Sequence, residues 1–113
     1  MMAMMFNLGP ASLQHLALLQ MEKHGADRYP TVNQQMLKLV EEVGELAKAI
    51  NKAGPKWNTI GPERDRVRSE LSDVALSLGN LATKLGVPCL EDLVAAHVAA
   101  DDRNFQRSKG QRT

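Results

Sequence analysis

Three Gly-Pro pairs, at positions 9–10, 54–55 and 61–62, constrain this chain more than any other feature. Glycine is favoured just past a helix end, while proline is tolerated only in a first turn and breaks a helix interior. Together with Pro30 and the "GVP" at 86–88, these pairs divide the chain into four stretches, each long enough for a helix. The first opens at Gly9-Pro10 and runs to about Gly25, with Leu13, Leu16, Ala17, Leu19 and Met21 in a loosely helical period. The second starts at Thr31, where "TVNQ" has the form of a capping box, and ends at Gly54-Pro55. "GPKWNTIGPE" is a loop holding the single tryptophan, Trp57. The third stretch begins at Gly61-Pro62-Glu63 and ends near Gly86; the fourth runs from about Pro88 to Gln106, and the tail "RSKGQRT" is expected to fray. Aromatics make up only 4%, against abundant Leu and Ala, a bias that favours helices over strands. The expected fold is an all-α, four-helix bundle, and 113 residues make one domain spanning 1–113.

Two of these helices carry carboxylates where apolar residues would be expected. In "KLVEEVGELAKAI" (38–50), a rotation of 100° per residue places Val32, Met36, Leu39, Val40, Val43, Leu46, Ala47 and Ile50 on one stripe. Glu42 and Glu45 fall beside it, in line with Lys38, while Glu41 points further round towards solvent. The third helix repeats the design. Val67, Leu71, Val74, Leu78, Leu81 and Leu85 form its stripe, and Arg66, Glu70, Asp73, Ser77, Asn80 and Lys84 form a polar line along its flank. If the two polar lines face each other, Glu42, Glu45, Glu70 and Asp73 converge. Crowded carboxylates repel one another, and a divalent cation removes the conflict. Oxygen-only ligation suits Mg²⁺, with Mn²⁺ an alternative, rather than Zn²⁺.

Spacing alone leaves a second reading open: solvated helix faces, with Glu41 and Glu45 paired to Lys38 and Lys48 and Glu70 to Arg66. A di-iron carboxylate bundle is disfavoured, because His15, His24 and His97 do not complete Glu-x-x-His motifs with these acids. His97 is expected at a helix interface and His15 on the face of the first helix. Trp57 reads either as a hydrophobic plug or as a base-stacking side chain. A formal net charge of +1 gives no global field for nucleic acid or membranes. No apolar run approaches the ~20 residues needed to span a bilayer. The lone Cys89 has no partner for an internal disulfide, and "MMAMMF" lacks the basic start of a signal peptide, so a cytoplasmic protein is expected.

The pattern Glu41-Glu42-x-x-Glu45, then 24 residues, then Glu70-x-x-Asp73 resembles the MazG-type all-α nucleoside triphosphate pyrophosphohydrolases, over a core of about 31–107. The resemblance implies Mg²⁺-dependent hydrolysis between the α- and β-phosphates, giving a nucleoside monophosphate and pyrophosphate. Glu42, Glu45, Glu70 and Asp73 would then be metal ligands. Glu41, with Glu42 and Glu45, would serve catalysis, Glu41 standing behind the ligands or orienting water. Asn104 and Arg107 in "RNFQR" match the end of the family's basic-Asn-Arg segment, although the preceding lysine is Ala100 here and Arg103 is its nearest substitute. Substrate contacts are therefore expected from Lys38, Trp57, Asn104 and Arg107. The family's tight dimers and tetramers imply a homodimer or homotetramer. Surplus apolar surface agrees, with Ala75, Leu76 and Ala82 on the third helix and Leu93, Val94, Ala95, Ala96, Val98, Ala99 and Ala100 on the fourth. Two other classes are weighed. One is a non-catalytic helical oligomerisation module, which would release no pyrophosphate. The other is a nucleic-acid accessory protein using Arg103, Arg107, Lys109 and Arg112, whose DNA binding would be steeply salt-dependent.

Overall fold

A computed structural model describes residues 12–25 and 27–110. Four α-helices follow in order: α1 (Leu13–Lys23), α2 (Val32–Ala53), α3 (Pro62–Lys84) and α4 (Leu90–Gly110). A short 3-10 helix, Gly54–Asn58, joins α2 to α3, and no strand occurs among the described residues. Among the described residues the chain adopts the expected all-α architecture of four helices. None of the described helices is long and apolar enough to cross a membrane.

Local chemistry sets the helix ends. The expected start of α1 at Gly9-Pro10 lies outside the described residues; α1 begins at Leu13, where the Ser12 hydroxyl accepts the His15 amide N–H at 3.1 Å. The capping box at α2 forms as read: Thr31 Oγ1 accepts the Gln34 N–H at 3.1 Å, and the Thr31 N–H donates to Gln34 Oε1 at 3.1 Å. Pro62 occupies the first turn of α3, with Glu63 and Asp65 beside the positive end of its dipole. At the far end, Val87 N–H reaches back to Ala82 O and Gly86 N–H to Thr83 O, both at 3.0 Å, with Gly86 at φ 78°. This is a Schellman stop, and the left-handed residue it needs is the glycine. Helix α4 departs from expectation. It continues past Gln106 through Gly110, because Arg107 and Lys109 complement the negative end of its dipole instead of marking a frayed tail.

Helices α2 and α3 form an antiparallel pair, and α1 lies across α3. The close approach is made at Gly79: a Cβ there would lie 3.2 Å from Leu13 Cγ and backbone O, and 3.3 Å from Ala17 Cβ. The Gln14 carboxamide ties α1 to the next connection. Its Nε2 donates to Val87 O at 2.7 Å, and its Oε1 accepts the otherwise orphaned Leu90 N–H at the start of α4 at 2.6 Å. Beyond this joint, α4 packs only lightly on α1.

The interior is not where the apolar stripes suggested. Leu81 is buried, but Val40 and Leu71 are each 55% exposed, and Met36, Val43, Ile50, Leu78 and Leu85 are also open to solvent. Buried instead are Glu70 and Ser77 from the polar line of α3 and Gln35 from α2, with Ala17, Ala53 and Ala82. Ala82, read as surplus surface, is buried in the interior, and Leu76 lines a pocket between α1 and the α2–α3 pair. The two helices thus meet along their polar flanks and turn much of their apolar stripes outward. The radius of gyration is correspondingly large, 18.0 Å against about 13 Å for a compact chain of this length.

Candidate functional site

Successive turns put Gln35, Lys38 and Glu42 on one line of α2, at offsets of three and four residues. On α3, Arg66, Glu70, Asp73, Ser77 and Asn80 form the matching line. Where the lines meet, carboxylate oxygens of Glu42, Glu70 and Asp73 all lie within 4.8 Å of one another. Glu70 is only 8% exposed, Glu42 is half-buried and Asp73 stands at the rim.

Two cations partly offset this negative charge. Lys38 Nζ lies 2.7 Å from Glu42 Oε1 and 3.6 Å from Glu41. Arg66 Nε lies 2.8 Å from Glu70 Oε1. Although Asp73 is exposed by area, its carboxyl sits in the crease between α2 and α3. Partial desolvation pushes it above the ordinary aspartate range, repulsion from Glu42 and Glu70 adds to the rise, and Lys38 and Arg66 oppose it. The Glu42 hydrogen bond raises Lys38, against partial burial, so the ammonium stays charged. Lys38 Nζ also stands 5.4 Å from the centre of the Tyr29 ring, a cation–π contact that steadies it.

The donor set suits a hard divalent cation: oxygen donors alone, on two rigid helices, with one carboxylate buried and more negative than positive charge. Next to it opens a pocket of ≈ 320 Å³ between α1 and the α2–α3 pair, with Glu42, Asp73 and Lys38 among its walls.

The expected site residues are distributed unevenly. Glu42, Glu70 and Asp73 come together. Glu45 is half-buried on the following turn of α2, outside that group. Glu41 projects outward, its side chain 64% exposed, as its helical phase indicated. Lys38 is inside the site. Trp57 lies in the 3-10 helix, more than half exposed, and does not line the pocket. Asn104 and Arg107 lie on the exposed surface of α4, also outside the pocket lining. His97, expected at a helix interface, is instead exposed on α4 with its Nε2 3.3 Å from Asp101 Oδ2. Sequence reasoning passed over Gln35 and Tyr29. The signal for Gln35 was present in its register, three residues before Lys38 and seven before Glu42.

Fold and site together define a class: an all-α protein whose paired helices present an oxygen-donor centre beside a pocket. The family model of the MazG nucleotide pyrophosphohydrolase domain matches residues 31–88, just over half of the chain, and the chain belongs to that family. The matched span runs through α2, the 3-10 helix and α3, so it contains every carboxylate of the centre and excludes α4 with Asn104 and Arg107. Among the curated proteins, none matches the chain significantly.

Proposed function

We propose that this protein is a Mg²⁺-dependent nucleoside triphosphate pyrophosphohydrolase, cleaving a (deoxy)nucleoside triphosphate to its monophosphate and pyrophosphate. The observation that carries the reading is the meeting of Glu42, Glu70 and Asp73 within 4.8 Å at the edge of a pocket, in a chain of this family. Glu42, Glu70 and Asp73 would hold the cation, with Glu45 as the fourth ligand after a small movement of its turn. Mn²⁺ is the natural substitute, since it shares the preference for oxygen donors. Bound there, the ion supplies neutralising charge to phosphate oxygens and makes water a better nucleophile at neutral pH.

The chain's own residues do the rest. Lys38 reaches the carboxylates now, and turning its ammonium towards the α-phosphate offsets charge there once the cation has taken over Glu42. Glu41, on the open side 3.6 Å from Lys38, would orient water and accept a proton. Water adds to the α-phosphorus and the bond to the bridging oxygen breaks, so pyrophosphate leaves with that oxygen. Such chemistry requires positioning and charge stabilisation rather than a covalent nucleophile. Arg107 and Asn104 contribute to phosphate binding, and Trp57 to substrate, only if another subunit brings them near the pocket.

That subunit is the second part of the proposal. Val40, Leu71, Leu78 and Leu85 lie open on α2 and α3, and Leu93, Val94 and Val98 on a scarcely packed α4. A second copy related by a twofold axis would cover these faces, giving a homodimer, and two such pairs a tetramer. The cytoplasm, where Mg²⁺ and nucleoside triphosphates coexist, is the natural compartment.

The deciding experiment incubates the full chain with Mg²⁺ and a panel of nucleoside triphosphates and resolves the products. Monophosphate and pyrophosphate in equal amounts are expected. Release of orthophosphate and diphosphate, or no turnover of any triphosphate, would overturn the assignment and leave the non-catalytic module.

A further inference from the structure

The pocket has a second end that the carboxylates do not account for. Gln35 is among its walls, two turns before Glu42 on α2 and therefore roughly 10 Å from it along the helix axis. At 2% exposed, Gln35 is the most buried large side chain among the described residues. Its Nε2 lies 3.3 Å from the backbone oxygen of Ser77 and 3.1 Å from Ser77 Oγ. A backbone carbonyl only accepts, so the NH₂ group must face it, and the orientation of the carboxamide is set. The oxygen, Oε1, is then turned the other way. Among the described residues it accepts no hydrogen bond, yet it is not sealed in, since the one enclosed side-chain polar atom without a partner is Arg64 Nε. The buried carboxamide therefore offers a fixed, unpartnered acceptor to the pocket.

We infer that this end of the pocket holds the nucleobase, and that Gln35 Oε1 selects bases with an exocyclic amino group at the edge remote from the sugar: cytosine and adenine. The inference rests on the pyrophosphohydrolase reading, which places the phosphates at Glu42 and Asp73. A nucleotide anchored there points its base towards Gln35 and Ser77, and Met21 and Leu76 supply apolar walls on the way. The edge reaching furthest is the one opposite the glycosidic bond. In pyrimidines that edge carries the 4-substituent, in purines the 6-substituent. Both are amino in cytosine and adenine; they are oxo in uracil, thymine, guanine and hypoxanthine. An amino group donates to Oε1. An oxo group would set two acceptors against each other, and the carboxamide cannot turn over to greet it without losing its bond to the Ser77 carbonyl and setting Oε1 against that oxygen. A site built to pair one hydrogen-bonding group rejects the mismatched analogue far more strongly than an apolar wall does.

Binding, measured apart from turnover, tests this. The full chain with Mg²⁺ is titrated calorimetrically with α,β-imido analogues of the triphosphates of cytidine, uridine, adenosine and inosine, whose bridging nitrogen resists hydrolysis. Cytidine and adenosine analogues should bind at least tenfold more tightly than their uridine and inosine counterparts. Gln35→Leu should bring each pair to within about twofold. Ser77→Ala removes only the hydroxyl contact and keeps the carbonyl that orients the carboxamide, so the preference within each pair should persist, and its loss would count against that carbonyl as the orienting group. Equal affinities within each pair in the parent, or a preference for uridine and inosine, overturns the base assignment while leaving the pyrophosphohydrolase reading intact. Failure of every analogue to bind removes both together.

Discussion

Replacing Asp73 with Asn tests the carboxylate centre through a reversal of stability order. Each like-charge pair at the 4.8 Å limit of the cluster costs about 0.9 kcal/mol at the dielectric of water and about 3.5 kcal/mol at an effective value of 20. Asp73 stands at the exposed rim, so the lower figure is nearer the truth for its repulsion from Glu42 and Glu70. Attraction to Lys38 and Arg66 removes part of the sum, leaving roughly 1 kcal/mol of strain that Asp73→Asn relieves. Unfolding entropy of about 2.1 cal/mol/K per residue converts this, over 113 residues, into a Tm about 4 °C above the parent without metal. Magnesium should invert the order. At tenfold above its Kd it stabilises the parent by about 1.4 kcal/mol, or ~6 °C, and leaves the variant nearly unmoved. Differential scanning calorimetry at fixed protein concentration, in EDTA and then in excess Mg²⁺, reads both effects. A variant that melts below the parent in EDTA, or that keeps the parent's full magnesium shift, would refute the reasoning.

Three further outcomes follow from the same geometry. Glu45→Gln should cut Mg²⁺-dependent turnover at least a hundredfold while the helical circular dichroism stays at the parent's level; parent-like turnover would remove Glu45 from the centre. Light scattering at micromolar concentration should give at least twice the 12.4 kDa chain mass, and a value of 12.4 kDa unchanged on dilution would rule out the dimer. The Lys84 ion pair holds the Asp27 carboxyl below its ordinary value of 3.8, so its contribution to stability is complete above that pH and is lost as pH falls through the depressed folded value. Asp27→Asn should accordingly lower Tm at neutral pH and make no difference well below the carboxylate range, and an equal loss at both would point to packing rather than charge.

What the chain determines alone is mostly local. Gly-Pro pairs and the Thr31–Gln34 box mark helix ends because they act within a few residues, through missing donors and orphaned N–H groups. Helical phase also put Glu42 and Lys38 on one line and Glu70 and Asp73 on another, since a rotation of 100° per residue needs no partner to be true. Phase could not say which line would turn inward. Hydropathy favoured Leu39, Val43, Leu71 and Leu78, yet α2 and α3 meet along Gln35, Glu70 and Ser77 and leave Val43, Leu71 and Leu78 outside. Only the crossing of the helices decided that three carboxylates would meet and that Glu45 would remain a turn away. The approach of α1 at Gly79 and the pairing of Gln35 with Ser77, 42 residues apart, are likewise tertiary. Contacts across such separations depend on how whole helices dock, a choice governed by the summed burial of both faces rather than by any residue's own preference.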